Sequence, residues 1–431
     1  MSLIAEVAVV GTGMFGAAAA KYLSREGVKV TAIGPAEPTG DEPVDQHSFA
    51  AHYDQGRICR RLGWDPVWAF LDARSLERFR DIETESGISF FSECGSLILI
   101  AKSIGERTDK ILDQAVENEV RVERMSQDAL RGEFPMLGLP QLTGGVEGLL
   151  ERTGAGLLNP KKLVSAQLAL ARAAGAELVR GAVVATEKRR GLWRLQVEGA
   201  TGNHEIRAEK LLIATGALTN HNCVLPHGKL LAMQAYTEPN LFFEVSEPRS
   251  GGIWNLPPVV TVDPDDTGNA NKSTYFIPPV RYPDGKWYMR IGPGMQPFVF
   301  RLSTTAEMID WYRSQRVTPD QSQFLAAAMS ELAPTLELPE ARHATCIIEK
   351  TVTGYPYIGY LDDDDTLAVA VGGNGHGARG SDEIGRLASL TAVGKPLDCP
   401  LPTDTFSPVT VSDPRAVWNQ SSKLKPPFGL C

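Results

Sequence analysis

The sequence predicts an α/β fold, α+β over the whole chain, and two observations carry this prediction. First, buried apolar runs that end in glycine-rich turns occur three times, at residues 7–16, 210–216 and 366–380. Such runs are typical of parallel strands, because these strands are covered on both faces. Second, residues 229–301 are β-rich and are broken by Pro and Gly, as in an antiparallel sheet.

The first of these runs contains each part of a βαβ unit that binds a dinucleotide. Gly11, Gly13 and Gly16 supply the tight turn, the close approach to a pyrophosphate and the contact between helix and strand. The helix predicted from Ala17 to Leu23 leaves its first N–H groups unpaired at its positive end, where a pyrophosphate binds to backbone. The motif therefore predicts a bound dinucleotide, and an ordinary βα turn is the alternative.

The second strand of this unit lacks its usual final carboxylate. An acidic residue there normally holds a ribose hydroxyl, but the strand over residues 28–33 is followed by Gly34. Glu37 is the acid placed to reach back, and water with backbone is the other option. We expect weak retention of the cofactor unless another group ties it down. No arginine follows Ile33, so a 2′-phosphate is not favoured.

Length and composition limit the class of protein. The 431 residues, 43% of them hydrophobic, suffice for two or three domains with large cores. The sequence contains no apolar run long enough for a membrane span and no signal-peptide pattern, which predicts a cytoplasmic protein. A net charge of −9 without a basic block argues against nucleic acid or an acidic membrane as partner.

Six cysteines, at positions 59, 94, 223, 346, 399 and 431, are scattered without CxxC pairs or His-Cys ligand spacing. This pattern disfavours both a zinc site and a disulfide framework. We expect free thiols and no metal.

The three glycine turns together resemble those of the D-amino-acid oxidase-like family of FAD-dependent oxidoreductases, in its monomeric sarcosine oxidase branch. The resemblance implies a Rossmann-type FAD-binding domain assembled from residues 1–90, 152–226 and 352–431. It also implies an antiparallel-sheet substrate domain from residues 91–151 and 227–351. The flavin ring would face that sheet, and the protein would be a monomer or a dimer.

The resemblance also implies a set of cofactor contacts. These fall on Gly11, Gly13, Met14, Phe15, Gly16, Glu37, Arg57, Val183, Thr215, Gly216, Cys346, Gly373, Asn374, Gly375, His376 and Gly377. Cys346 lines up with the thiol that the family bonds to the flavin 8α carbon. A covalent thioether there would offset the missing ribose carboxylate, whereas a buried cysteine acting as a small hydrophobe is the alternative.

The segment from His52 to Arg60 matches the family's turn beside the flavin ring. In that match Arg57 lies near the isoalloxazine and Arg60, three residues on, binds the substrate carboxylate. A guanidinium offers a planar fork for a carboxylate, and helical spacing would bring both arginines to one side of a turn. A solvated, Arg-rich helix start is the alternative.

The late glycine loop, residues 372–380, contributes a second cation and a helix start. Arg379 matches a lysine that clamps the carboxylate in the sarcosine branch, so Arg60 and Arg379 would form a two-point anchor. The helix from Ser381 would direct its positive end at the flavin N1–C2 carbonyl and stabilise the reduced ring. His376 is a candidate base, or a loop spacer with its ring satisfied by structure.

Arg290 departs from the family pattern. It matches a lysine that helps dioxygen accept electrons, and Gly294 stands where a histidine is expected. A guanidinium keeps a cation near the ring but spreads its charge, so an oxidase and a dehydrogenase with another acceptor both remain open.

These matches predict FAD-dependent oxidation of a small carboxylated amine, an amino acid or N-alkyl amino acid. Hydride would pass to flavin N5, and the imine would hydrolyse without a required side-chain base. Three alternatives remain. The first is a 2-hydroxy acid oxidase with His52 or His376 as base, the second a non-catalytic flavoprotein, and the third, from the first motif alone, an NAD-dependent dehydrogenase.

Overall fold

The structure, a computed structural model, describes residues 4–35, 50–199, 202–221, 224–226, 228–246, 252–263, 273–294 and 299–413. Its strands are, in chain order, β1 Ile4–Val10, β2 Val30–Gly34, β3 Arg57–Cys59, β4 Phe91–Glu93, β5 Ser96–Ala101, β6 Glu123–Met125, β7 Val146–Glu151, β8 Gly156–Leu158, β9 Glu177–Arg180, β10 Ala182–Arg189, β11 Leu192–Gly199, β12 Gly202–Ile213, β13 Leu230–Leu231, β14 Met233–Val245, β15 Val259–Val262, β16 Thr274–Arg281, β17 Trp287–Pro293, β18 Arg301–Leu302, β19 Arg342–Thr351, β20 Tyr357–Tyr360, β21 Leu367–Val371 and β22 Thr410–Val411.

Side-chain caps mark the starts of several of the helices. The helices are α1 Met14–Arg25, α2 Pro66–Ser86, α3 Gly105–Glu117, α4 Gln127–Glu133, α5 Pro160–Ala173, α6 Thr305–Ser314, α7 Pro319–Leu332 and α8 Ser381–Ala392. The Asp65 carboxylate accepts the N–H groups of Val67 and Trp68 at the start of α2. Asn159 caps α5 as its position before Pro160 predicts, and Thr318 forms a capping box with Gln321 on α7.

The first sheet is the nucleotide-binding type. It has the order β10-β11-β12-β1-β2-β9, and β1 pairs in parallel with both β2 and β12. Strand β21 also pairs with β12, and β20 pairs with β21. Alternate residues of β1 face opposite sides: Val7 and Val9 pack with α1 and α8, whereas Ala8 and Val10 pack with the residues of β11 and β12. Burial on both faces explains the continuous apolar runs in the sequence.

The second sheet has the order β18-β14-β17-β16-β15-β5-β7-β6, with β19 paired to β14. Its pairs are antiparallel except β5 with β15. Leu241 and Phe243 of β14 pack on one face with Leu325 and Met329 of α7. The intervening Phe242 lines the cavity on the other face, because side chains alternate along a strand.

These two sheets confirm the predicted fold class. Their strands come from separated parts of the chain, and the domain boundaries stay a prediction.

Four helices meet at the buried carboxylate of Asp382. Its oxygens accept Lys21 Nζ and Gln167 Nε2, each at 2.7 Å, and Arg78 Nε at 2.6 Å. Burial opposes ionisation, but Lys21 and Arg78 outweigh it and lower the pKa of Asp382 to about 2. The group ties α8 to α1, α2 and α5, so it fixes the helical layer behind the first sheet.

No helix in the described parts of the chain is long and apolar enough to cross a bilayer. The same residues hold no group of three or more His, Cys, Asp and Glu arranged around a metal site.

Candidate active site

A cavity of about 1320 Å³ lies where the two sheets face each other. One wall is formed by the carboxyl ends of β1, β2 and β12, and the other by β14, β16, β17 and β19. Ligands bind at the carboxyl ends of parallel strands in open α/β sheets. The cavity therefore joins a nucleotide-binding edge to an antiparallel wall.

Backbone builds the nucleotide-binding edge. Gly11 has a φ of +105°, and a Cβ there would lie 2.4 Å from the Ala214 carbonyl oxygen. A Cβ at Gly16 would lie 1.9 Å from Gly11 O, so this residue supports the turn from behind without lining the cavity. No side chain caps the start of α1 at Gly13, which leaves the first N–H groups of the helix for a ligand. Gly11, Gly13, Met14 and Phe15 all line the cavity.

The end of β2 has no room for a ribose-binding carboxylate. A Cβ at Gly34 would lie 2.0 Å from Thr12 Oγ1, so the threonine hydroxyl occupies the space of a side chain. Val183, Thr215 and Gly216 line the cavity nearby, as the resemblance implies. Glu37 lies outside the described residues.

The late glycine loop closes the cavity from the side of α8. Gly373, Asn374, Gly375, His376 and Gly377 all line it. Strand β19 holds the loop in place: Lys350 Nζ donates to Asn374 O at 2.9 Å, and Glu349 Oε1 accepts Gly373 N–H at 3.0 Å. No side chain caps α8 at Gly380, but its first turn carries Asp382 and Glu383. The positive end of this helix therefore already faces carboxylates.

Arg57 and Cys346 meet at the cavity wall. Arg57 pairs with Asp54, and its Nη2 lies 4.0 Å from Cys346 Sγ. Burial raises the pKa of the Cys346 thiol, and Arg57 partly opposes the rise. Burial and the neighbouring Arg290 also lower the pKa of Arg57. The thiol thus faces the cavity beside a cation.

Arg290 also lines the cavity, and it shares the carboxylate of Asp54 with Arg57. Its Nη1 pairs with Asp54, and its Nη2 donates to Gly56 O at 2.8 Å. Tyr282 Oη donates to the same carboxylate at 2.7 Å. The guanidinium of Arg290 is therefore held by Asp54 and Gly56, and its match to the family's lysine stays a prediction.

The expectation that Arg57 and Arg60 share one side of a helical turn is wrong. Residues 57–59 form strand β3, which pairs with β8, and an extended chain places residues three apart on opposite sides. Arg57 accordingly faces the cavity, whereas Arg60 is fully buried outside its lining and donates to Leu62 O.

Arg379 reaches the cavity by itself. It pairs with the buried Asp72, and its Nη2 contacts His376 Nδ1 at 2.9 Å. The His376 ring packs on the Trp68 ring, with the two ring centroids 4.9 Å apart. Because a guanidinium can only donate, His376 Nδ1 accepts this hydrogen bond, and its lone pair is occupied. Burial raises the pKa of Asp72 to about 7, against the pull of Arg379 and Arg60.

Sequence reasoning missed a polar group on the sheet wall. Tyr275 Oη donates to Glu238 Oε1 at 2.9 Å and contacts Asn240 Oδ1, across the space left by the missing side chain of Gly292. Burial raises the pKa of Glu238 to about 7, and burial lowers that of Lys350 to about 8. Glu238 and Asn240, two residues apart in an apolar strand, were the signal in the sequence.

Comparison with known proteins agrees with this geometry. The family described as FAD dependent oxidoreductase matches residues 6–389. Monomeric sarcosine oxidase from Bacillus sp. (strain B-0618) is 24% identical over 408 residues, which cover 92% of this chain and 94% of the relative. NikD, an unusual amino acid oxidase essential for nikkomycin biosynthesis, superposes in its open form with a TM-score of 0.72 at 20% identity, over 94% of this chain and 98% of that one. L-proline dehydrogenase from P. horikoshii superposes with a TM-score of 0.72 at 19% identity, over 94% of this chain and 97% of that one.

The family match spans nearly the whole chain, and the glycine turns and the two-walled cavity lie within it. The chain belongs to the FAD-dependent oxidoreductase family, as its motifs predict, and is an enzyme of that class.

Proposed function

We propose that this enzyme oxidises the C–N bond of a small amino acid or N-alkyl amino acid. When bound, FAD supplies N5 as the acceptor of hydride from the α C–H bond, and the imine product hydrolyses in water. The single observation that carries the proposal is the cavity itself, which joins a dinucleotide cradle to a cationic wall.

The cradle fits FAD for physical reasons. Gly11 and Gly16 leave no space for a Cβ, and the uncapped start of α1 offers its N–H groups to a pyrophosphate. Thr215 and the loop 373–377 extend the lining from this cradle toward the antiparallel wall. In this proposal Gly11, Gly13 and Met14 hold the diphosphate, and the loop lies against the flavin ring.

The deep end of the cavity suits a carboxylate. Arg379 and Arg60 both interact with one buried acid, Asp72, whose raised pKa weakens its negative charge. This group therefore carries excess positive charge, which a substrate carboxylate would balance. Arg379 makes the direct contact in our proposal. Arg60 acts from behind it, because direct contact would require its guanidinium to leave Leu62 O.

We propose that Cys346 holds the flavin through an 8α-S-cysteinyl bond. Its thiol lines the cavity beside Arg57, and a cation favours the thiolate that would attack C8α. The bond would replace a C8α–H bond, with the proton released and the two electrons taken up by the flavin itself. Acid precipitation of the wild type should leave the yellow colour with the protein, and Cys346→Ser should release it. Cys399→Ser, a half-buried thiol outside the cavity lining, is the control. Complete release of colour from the wild type would rule out the bond.

A specific observation favours an acceptor other than dioxygen. Reduction of dioxygen builds negative charge, which a free cation near the ring stabilises. Here Arg290 and Arg57 both pair with Asp54, so neither guanidinium is free. We therefore propose as second candidate an amine dehydrogenase that passes its electrons to another acceptor. Reoxidation of the reduced enzyme by air and by a soluble dye, measured side by side, decides between the two.

The test of the reaction is anaerobic mixing with sarcosine, other N-methyl amino acids, primary amino acids and 2-hydroxy acids. Bleaching of the flavin by amines supports the proposal, and bleaching by hydroxy acids alone contradicts it. Arg379→Met should raise KM for a carboxylated amine at least about tenfold more than for the matching uncharged amine. Equal losses on both substrates would remove Arg379 from the carboxylate site.

A further inference from the structure

An exposed arginine at the mouth of the cavity rests on three aromatic rings. Phe242, Tyr282 and Tyr288, here called the mouth platform, pack edge to face at interplanar angles of 87°, 78° and 89°. The guanidinium carbon of Arg342 lies 4.6 Å from the Tyr288 ring, 4.9 Å from Phe242 and 5.8 Å from Tyr282. Arg342 also lines the cavity.

The platform is held in place by the sheet and by two hydrogen bonds. Phe242 stands directly opposite Arg342 on one neighbouring strand and opposite Arg290 on the other. Tyr282 Oη donates to Asp54, and Tyr288 Oη donates to Asp284 Oδ2, each at 2.7 Å. Strand register and ring packing therefore position the Arg342 side chain, and an ion pair is not needed for it.

The donors of Arg342 point to a ligand. Among the residues that the structure describes, none accepts a hydrogen bond from this guanidinium and no carboxylate lies within 4.0 Å of it. Arg57 and Arg290, on the same cavity wall, both pair with Asp54. Asp284 is the acid on which Arg342 acts electrostatically, and its Oδ2 accepts from Tyr288. Arg342 is thus a cation fixed at the cavity by rings, with its planar fork open to an anion.

We propose that Arg342 binds a second carboxylate of the substrate, so that the enzyme favours amines that carry two acid groups. A guanidinium presents two parallel N–H groups that match a carboxylate, and the rings below it reduce the entropy lost on binding. One acid would lie at Arg379 and the other at Arg342, both on the lining of one cavity. The inference rests on the proposed function for the reacting amine, and the anion site can be tested without turnover.

The experiment measures binding of succinate, glutarate and adipate, each against the monocarboxylate of equal chain length, to the purified flavoprotein by calorimetry. We expect the best dicarboxylate to bind about tenfold more tightly than its monocarboxylate. Arg342→Met should reduce that preference to within about twofold and leave the monocarboxylate unchanged, while Arg342→Lys keeps part of it. Arg316→Met, which removes an exposed cation outside the cavity lining, should keep the full preference.

Two results would overturn the proposal: a wild type without preference for any dicarboxylate, or a preference that survives Arg342→Met. Equal weakening of both acid classes, at an unchanged melting temperature, would also overturn it, because Arg342 would then serve the common carboxylate. Comparison of kcat/KM for N-methylglutamate and sarcosine extends the test to turnover. A dicarboxylate preference without oxidation of any amine would refute the proposed function and leave the anion site standing.

Discussion

The two walls of the cavity are built from different parts of the polypeptide. On the nucleotide side, glycines and the uncapped start of α1 expose backbone, and the charged groups behind them are fully paired around Asp382. On the sheet side, side chains form the surface: Glu238 and Tyr275 share a hydrogen bond, and Arg342 has an open fork. One wall presents main-chain groups to the cavity, and the other presents side chains.

Because of this difference, the two walls tolerate different substitutions. At Gly11 and Gly16 a Cβ is enough to block the backbone wall, since the nearest atoms there are main-chain carbonyl oxygens that cannot move aside. The sheet wall can exchange side chains, but each exchange changes charge or hydrogen bonding in the cavity. Four substitutions test this contrast, beginning with loss of the cofactor and ending with a change in pH dependence.

Gly11→Ala should abolish retention of FAD. Its Cβ would lie 2.4 Å from Ala214 O at a φ of +105°, so both contact and conformation are unfavourable. We expect a purified protein with at most about a tenth of the wild-type flavin content, a loss of more than about 1.4 kcal/mol in binding. Gly27→Ala has a φ of +81° but open space around it, and it should keep its flavin. Equal flavin in both variants would contradict a backbone-built cradle.

Asp382→Asn should destabilise the helical layer by about 3–5 kcal/mol, because it leaves the buried Lys21 without its negatively charged partner. The lowered pKa sets the pH window: the stabilisation is present above 3.8, and it is lost as the pH falls through about 2. Denaturant unfolding at neutral pH measures the effect. Asp398→Asn, an exposed partner of Arg386, should change the unfolding free energy by less than about 1 kcal/mol.

Gly292→Ala should lower the free energy of unfolding by about 1–3 kcal/mol, because it overpacks the sheet wall. The new Cβ would lie 2.3 Å from Tyr275 Oη, so the ring must turn away from Glu238. The flavin content should stay at the wild-type level, in contrast to Gly11→Ala. Gly63→Ala, with no atom within 4 Å of its Cβ, is the control, and a stability equal to wild type in both variants would count against the Tyr275 contact.

Glu238→Gln should change the pH dependence of stability. Burial raises the pKa of this carboxyl from 4.5 to about 7, so the native state binds the proton more tightly than the unfolded state. Stability of the wild type therefore falls as the pH rises through this window, and the glutamine variant lacks that fall. We expect a relative gain for the variant on the order of 3 kcal/mol across the window. Parallel profiles of stability against pH for the wild type and the variant would contradict this prediction.

The exposed Glu244→Gln, on the same strand, is the control and should follow the wild type. Asp72 shifts within the same pH range, but it is present in each of these proteins and cancels in the comparison.

The backbone wall could be predicted from the sequence because its physical requirements fall on neighbouring residues. Strand, glycine spacing and helix all lie within residues 7–23, and the structure has them there. Arg60 shows the opposite case, since its direction depends on whether residues 57–59 are helical or extended. That choice is made by pairing of β3 with β8, about a hundred residues away.

Which residues meet on the sheet wall likewise depends on strand register, which is set by distant parts of the chain. Glu238 stands opposite Cys346, and Phe242 stands between Arg342 and Arg290, through pairings between distant segments. Polar residues at alternate positions of an apolar strand can mark one face as functional, although this signal was missed. They could not indicate which cations would lie across from it.

The register of β14 and β19 has a consequence for how this enzyme can diverge. Arg342, Ala344 and Cys346 stand opposite Phe242, Asn240 and Glu238, at intervals of two. Insertion or deletion of one residue within either strand would turn every later side chain toward the α7 face. Relatives that acquire new specificities should therefore do so by replacing residues here at constant length, while gaps in their alignments collect outside these two strands.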